Sequence, residues 1–268
     1  MEGLARSFMS QTDEAANSPD TTCDMFLGDR LTIRQPAKGY RAGVDAVLLA
    51  ACVRPKSHAA TLLDVGAGAG TIGLCAAQRL HGLSAVLLER EAALFALSQR
   101  NIRENRLDGR VRAVQASVTS RASDLAAAGI LPESFDICVA NPPFHDEDAG
   151  TVAGDALKAA SHAMPADALE DWARFLARMT KPGGQVLMIH KAEALPRILA
   201  VFAPRFGRLR ILPIHARPDT SAIRVIVEGV KGSRAPLEIR PGFVLHGEGN
   251  AFTPAASAIL RQGAALVL

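Results

Sequence analysis

The chain has 268 residues, 49% hydrophobic and 21% charged, with 30 basic against 27 acidic side chains and a formal net charge of +3. That composition excludes a wholly disordered chain, and so even a charge balance does not by itself demand a nucleic-acid partner. Aromatics make up only 4%, with one Trp and one Tyr, too few for a broad platform on which single-stranded RNA could stack.

Residues 1–24 are polar and rich in Ser, Thr, Asp and Asn, so a poorly ordered tail is expected there. Met25–Leu27 and Leu31–Arg34 read as a β-hairpin turning at Gly28-Asp29. In the next stretch Val44, Val47, Leu48 and Ala51 recur at helical spacing, and Pro55 marks the end of that helix. Hairpin and helix together make a lead-in over 25–57. From 58 to 232 short apolar strands alternate with Ala-rich helices. Strands are expected at 61–66, 84–89, 111–116, 135–140 and 185–190, and helices at 71–80, 91–105, 166–179 and near 192–202. This alternation predicts a parallel sheet covered by helices on both faces. The segments 209–214 and 222–230 are joined by a linker too short for a helical crossover, so they should pair antiparallel. The fold class is therefore α/β, a seven-stranded, mostly parallel sheet with a terminal antiparallel hairpin. Residues 233–268 form a loop-rich tail packed on the domain, with a short helix over 252–262. No internal repeat is visible.

Cys23, Cys52, Cys75 and Cys138 are scattered, with no C-x-x-C and no His at finger spacing, so neither a disulfide framework nor a zinc site is expected. Cys75 and Cys138 lie in apolar runs and read as small buried hydrophobes. No uncharged run approaches the ~18 residues of a membrane span, and the N-terminus lacks an apolar signal-peptide core. A cytoplasmic protein with no membrane partner is expected.

Asp64-Val65-Gly66-Ala67-Gly68-Ala69-Gly70 closes the first strand of the alternating region and opens its first helix. Glycines there allow a sharp turn and the close approach of a ligand. A bare glycine pattern is shared with dinucleotide enzymes, and two acids narrow it. Asp64, two residues before Gly66, suits an ammonium group better than a pyrophosphate. Glu89, ending the second strand, can accept hydrogen bonds from both hydroxyls of a ribose. Together they point to S-adenosylmethionine as cofactor, held by Asp64, Gly66, Ala67, Gly68, Gly70 and Glu89.

The fourth strand runs directly into Asn141-Pro142-Pro143-Phe144. An amino group conjugated to a ring or carbonyl is a poor nucleophile because its lone pair is delocalised. The Asn141 side-chain oxygen and the Pro142 carbonyl can accept its two N–H bonds and aim the lone pair at a methyl donor. Two prolines stiffen the loop beforehand, and Phe144 offers a face for a planar base. Asn141, Pro142 and Phe144 are therefore the candidate catalytic residues, with Asn141 also beside the cofactor. His145-Asp146-Glu147-Asp148 reads as a solvated acidic loop, since consecutive residues rarely converge on one ion, and no metal site is expected. Residues 145–165 read as a lid over the substrate.

With the glycine loop, Glu89 and the Asn141–Phe144 tetrapeptide in register, the chain resembles Rossmann-like class I N-methyltransferases of the methyltransferase small group. The lead-in Leu31–Pro36 and Gly39–Ala50 is similar to that of bacterial tRNA(Val) adenine-N6 methyltransferases. The resemblance implies methyl transfer to an adenine exocyclic amine in tRNA, with Arg41 and Asp45 near the methionine end of the cofactor or else bracing a helix start. It also implies an adenine-binding position after the third strand, where the family commonly carries an acid and this chain has Ser117. The Ser117 hydroxyl can accept the hydrogen bond from the adenine amine, or its N–H can serve a ring nitrogen. Residues 197–234 carry eight basic and two acidic side chains, a possible phosphate-contacting face. Competing readings are a protein glutamine N5-methyltransferase, which usually needs a helical domain that this lead-in does not supply, and a small-molecule or O-methyltransferase. A nicotinamide oxidoreductase would explain the glycines and leave Asn141-Pro142 without a role.

Overall fold

The computed structural model describes residues 21–39, 41–143 and 168–268. The chain enters through an antiparallel hairpin, β1 (Thr21–Phe26) and β2 (Leu31–Pro36), followed by α1 (Val44–Ala51). The hairpin thus begins earlier than the sequence suggests. Thr21–Asp24, assigned above to the tail, pair with Arg34–Ile33 and outward to Pro36. Asp24 is pinned from the side by Arg41 at 2.6 Å and by the Gln35 amide at 3.0 Å, which orders this polar stretch. The rest of the expected tail, residues 1–20, and the expected lid at 145–165 lie outside the described residues.

Five parallel strands follow: β3 (Thr61–Val65), β4 (Ser84–Glu89), β5 (Val111–Gln115), β6 (Phe135–Ala140) and β7 (Thr180–Lys191). Between them run α2 (Thr71–Arg79), α3 (Ala92–Glu104), α4 (Ala122–Ala127) and α5 (Ala168–Met179). Their spatial order is β5-β4-β3-β6-β7. The chain therefore winds outward from β3 in one direction, then returns to lay β6 on the other side of β3. Such a reversal leaves a crevice beyond the carboxyl ends of the two diverging strands, the place where open α/β sheets bind ligands. Val65 is in register with Ala140, so Gly66 and Asn141, one residue further along each strand, face each other across that crevice.

The strands are apolar on both faces because both are covered. Leu62, Ile137, Val139 and Leu187 point to the layer containing α1 and α2. Leu63, Val65, Cys138 and Val186 point to the other, with Leu176 of α5 and Phe202 of α6 (Leu195–Phe202). The period-two split of neighbours such as Leu62 and Leu63 follows from strand geometry, and burying each such leucine contributes about 1.5–3 kcal/mol. Cys75 and Cys138 are buried free thiols, and burial pushes both up to about 12.

β8 (Phe206–His215) and β9 (Ala222–Lys231) form the expected antiparallel hairpin, with β9 beside β7. All seven foreseen strands are present. Two further two-residue strands in the tail, β10 (Glu238–Ile239) and β11 (Phe243–Val244), add themselves parallel to β8. The last helix, α7 (Pro254–Gln262), packs against α1 and has both ends satisfied. The Thr253 hydroxyl accepts from Ala256 N–H at 3.2 Å, and Gly263 closes it in a left-handed conformation.

The basic stretch 197–234 does not make one face. β8 and β9 carry most of its residues from one end of the sheet to the other, and at least four of the eight are tied to acids. Arg205 pairs with Glu170, Arg210 with Glu228 and Glu238, Arg224 with Asp45, and Lys231 with Glu133.

Two asparagines one turn apart, Asn101 in the last turn of α3 and Asn105 capping it, fix the entry hairpin to the domain. Asn105 accepts from the Thr32 N–H at 2.9 Å and donates to the Thr32 carbonyl at 2.7 Å. Asn101 does the same for Arg34, at 2.8 and 3.0 Å. Each amide serves as a fragment of strand along the edge of β2. Asn105→Ala should therefore cost about 1–3 kcal/mol of unfolding free energy, since it leaves two backbone groups unpaired. Urea denaturation of the full chain checks this, and unchanged stability would show that the hairpin is anchored otherwise.

Candidate functional site

The glycine loop between β3 and α2 is shaped from behind by two carboxylates. Asp64, fully buried in β3, accepts from the Gly73 N–H in the first turns of α2 at 2.8 Å. Glu89, at the end of β4, accepts from the Gly68 N–H at 2.7 Å and from the Glu91 N–H at 2.9 Å. Both acids foreseen from the sequence thus brace the loop from behind, and neither is part of the crevice lining. Burial and the neighbouring Glu89 push the Asp64 carboxyl up to about 7, against the lowering effect of the Gly73 bond.

The loop's glycines differ in what surrounds them. Gly66, at φ +66°, lies under the indole of Trp172, and a Cβ there would collide with that ring. Gly68, at φ +58°, has nothing within 4 Å of where a Cβ would stand. A ligand can therefore lie against the backbone at Gly68, while Gly66 is closed from the α5 side.

Gly66, Ala67, Gly68 and Asn141 line one crevice, roofed by Gln35 and Ala42. Gln35 is buried and clamps Ala42 from both sides, accepting from its N–H at 2.7 Å and donating to its carbonyl at 3.2 Å. Pro142 is buried and Pro143 half-buried just beyond Asn141. Phe144 lies outside the described residues. Gly70 caps α2 in a left-handed conformation and packs on Leu87 without lining the crevice. Ser117 stands past the end of β5, away from the crevice lining. Its N–H donates to Ser120 Oγ at 2.9 Å, and its hydroxyl is engaged by Thr119, whose N–H donates to it at 3.3 Å and whose Oγ1 lies 3.1 Å away. Arg41 and Asp45 are braces, and they brace to Asp24 and Arg224.

Several residues of the site are absent from the sequence reading. Thr71, at the start of α2, lines the crevice with a buried hydroxyl that has no hydrogen-bond partner among the described residues. The second carboxylate oxygen of Asp64 is likewise buried and unpartnered. Asn101 donates to the Ala69 carbonyl at 2.9 Å, so one buried amide ties hairpin to loop. A polar pair four residues apart on the core-facing side of α3 was the available signal for it.

S-adenosylmethionine needs a carboxylate for its ammonium, donors for its own carboxylate, acceptors for ribose hydroxyls and space against the loop. Asp64 Oδ1, the Thr71 hydroxyl, the remaining lone pairs of Glu89 and the open side of Gly68 supply these in turn. The residues present fit the cofactor. Among the described residues no cluster of His, Cys, Asp and Glu could hold a metal ion, and no helix is long and apolar enough to cross a membrane.

Residues 42–167 match the methyltransferase small domain family. A tRNA1(Val) (adenine(37)-N6)-methyltransferase of Shewanella putrefaciens is 35% identical over 109 residues, covering 40% of this chain and 43% of that protein. The match thus spans less than half of that relative's length. The enzyme of the same name from Pedobacter heparinus is 28% identical over 208 residues, 75% of this chain and 82% of that one. A solved structure from Agrobacterium tumefaciens, described as a predicted O-methyltransferase, superposes with a TM-score of 0.70 at 31% identity, covering 84% of this chain and 99% of that one.

Two outcomes follow for ligand binding. Gly66→Ala forces a side chain into the Trp172 indole at positive φ, strain of about 1–3 kcal/mol, and should weaken S-adenosylhomocysteine binding by roughly tenfold or more in calorimetry. The second concerns pH. Asp64 attracts a cationic ligand only when ionised, so affinity for S-adenosylmethionine should rise through about pH 7 and fall below it, by roughly tenfold between pH 8 and pH 6. His190, pushed down to about 4 by burial and by Arg197, stays neutral over that range. Asp64→Asn should flatten the profile in calorimetric titrations.

Proposed function

We propose that this chain, which belongs to the class I methyltransferases of the methyltransferase small family, transfers a methyl group from S-adenosylmethionine to the exocyclic N6 amine of an adenine in RNA, with tRNA the favoured substrate. The observation that carries this reading is the placement of Asn141 opposite Gly66 across the β3–β6 reversal, in the crevice where the cofactor fits.

When bound, S-adenosylmethionine supplies an electrophilic methyl on a sulfonium. The protein's part is to hold the acceptor. The Asn141 side-chain oxygen and the Pro142 carbonyl take the two N–H bonds of the amine, which draws its lone pair out of conjugation and fixes its direction. Buried Pro142 and its neighbour Pro143 hold φ, so this geometry exists before the substrate arrives and its entropy cost is paid in folding. The nitrogen becomes an acidic ammonium on methylation and releases its proton to water, so no side chain need act as base. Stacking of the base on Phe144 belongs to this reading from the sequence alone.

The RNA assignment is supported by relatives named for tRNA adenine-N6 methylation and, from Haemophilus ducreyi, for ribosomal RNA small subunit methylation. A second reading, methylation of a hydroxyl on a small molecule, is favoured by the broad match to the Agrobacterium tumefaciens protein. It leaves the paired acceptors Asn141 and Pro142 without a task, since a hydroxyl has one proton and a free lone pair.

Incubation with labelled S-adenosylmethionine and separate pools of tRNA, ribosomal RNA and protein should place the label on N6-methyladenosine in tRNA. Label on protein, or on neither RNA, would overturn the substrate. Asn141→Ala should keep cofactor affinity within a few-fold and lower turnover by about 10²–10³-fold, the usual scale for losing a preorganised polar contact to the reacting group. Equal turnover by the variant would remove the loop's role.

A further inference from the structure

The end of the sheet opposite the cofactor crevice carries two clefts that share one residue. The first, about 410 Å³, opens beneath the starts of β6 and β7 and is lined in part by Lys56, Ser57, Lys181 and Arg208. The second, about 520 Å³, runs on from Arg208 past Arg205 and Ser233 to Arg234. Most of the charge here is already matched. Lys181 bonds Asp136 at 2.8 Å, Arg205 pairs with Glu170, and Arg54 and Arg210 flank the buried Glu228 at 3.9 and 3.5 Å. Lys56, Arg208 and Arg234 are different. All three are exposed, and none has a carboxylate partner among the described residues. Lys56 donates only to the Gly183 carbonyl, at 2.8 Å, which leaves its charge uncancelled.

Arg208 is placed there by a fault in the strand pairing. The β8–β9 register slips between Gly207 and Arg210, and Arg208 adopts φ +50°, a conformation disfavoured for any residue with a side chain. Bulges of this kind re-aim a side chain and turn up where function needs it. The result is a line of three uncancelled cations, Lys56–Arg208–Arg234, along two joined clefts. The clefts offer no exposed aromatic face for a base, since Phe206 is buried. Such a surface recognises phosphate and ignores sequence.

We propose that these clefts hold the sugar-phosphate backbone of the RNA substrate at a point remote from the methylated base. The inference rests on the reading of this chain as an RNA methyltransferase. Arg208 lies seven residues before His215 at the cofactor end of β8, roughly 23 Å by strand rise. No single nucleotide spans that distance, and a folded RNA does. Contact at both ends would select a large structured RNA over a free nucleotide or a short loop.

The test measures binding of full-length tRNA and of an isolated anticodon stem-loop, with S-adenosylhomocysteine present, against salt. The double variant Lys56→Glu/Arg234→Glu leaves the bulge untouched, and Arg208→Ala is made separately. The double variant should bind whole tRNA about tenfold more weakly, with a salt slope shallower by about two, and bind the stem-loop as the parent does. Arg208→Ala should reduce the slope by about one. Cofactor affinity should be unchanged in both. Unaltered tRNA affinity and slope would overturn the proposal, as would equal weakening for the stem-loop. Inorganic phosphate binding that the double variant abolishes, with tRNA affinity intact, would assign the clefts to a small anion instead. Because binding is read without turnover, cleft-dependent tRNA binding with no RNA methylation would sink the proposed activity and leave this surface standing.

Discussion

The site depends on two acids placed close together at the buried ends of neighbouring strands. Val65 pairs with Leu88, so Asp64 and Glu89 end up on adjacent strands, two residues apart in register, behind the same loop. Burying two carboxylates together is costly, because each loses water and each repels the other. The loop offsets part of that cost by turning its amides inward, Gly73 to Asp64 and Gly68 to Glu89. The offset is incomplete. One oxygen of Asp64 stays unpaired, and the carboxyl is held near 7, poised between its two forms. A cationic ligand would relieve that tension, so the same arrangement that shapes the loop also selects the charge of what binds to it.

The roof of the crevice is made by polar side chains that imitate backbone. Asn101 and Asn105 pair with β2 as a short strand would, and Gln35 pairs with Ala42 in the same bidentate way. Amides suit this work because each carries a donor and an acceptor at peptide-like spacing. They also use up hydrogen-bonding groups along β2 that would otherwise be open to another chain. Asn101 reaches further, to the Ala69 carbonyl, and its side chain is wholly buried. Hairpin, α3 and glycine loop are therefore one mechanical unit, and a loosened hairpin would be felt at the donor site.

What the sequence made legible was what local pattern encodes. Central strands such as Leu62–Val65 and Ile137–Ala140 are apolar on both faces, and the glycine loop and Asn141-Pro142-Pro143 punctuate their ends, so their place and order could be read directly. The short elements could not. α4, β10 and β11 have two to six residues each and gain their stability from the sheet and tail they touch. The same holds at the site. Asp64, Glu89 and Asn141 announce themselves within motifs, whereas Asn101 meets Arg34 across 67 residues and Trp172 meets Gly66 across more than a hundred. Pairings of that range follow from tertiary packing, and no local spacing specifies them. The sum of charge over 197–234 was coarse for a related reason, since it could not see which arginines would find acids and which, like Arg208 and Arg234, would stay open to solvent.

Where those acids fall has its own logic. Toward the cofactor end of the sheet several cations are cancelled: Arg41 by Asp24, Arg224 by Asp45 on the first turn of α1, and Lys191 by Glu193 at 3.5 Å. A positively charged donor would be repelled by bare arginines at that end, and Debye screening does little over the few ångströms involved. Phosphate contact calls for the reverse, cations left open to solvent, and these are found at the far end of the same strands. A parallel sheet has two chemically distinct ends. In this protein the uncancelled cations Lys56, Arg208 and Arg234 stand at the end away from the donor, where they do not compete with it.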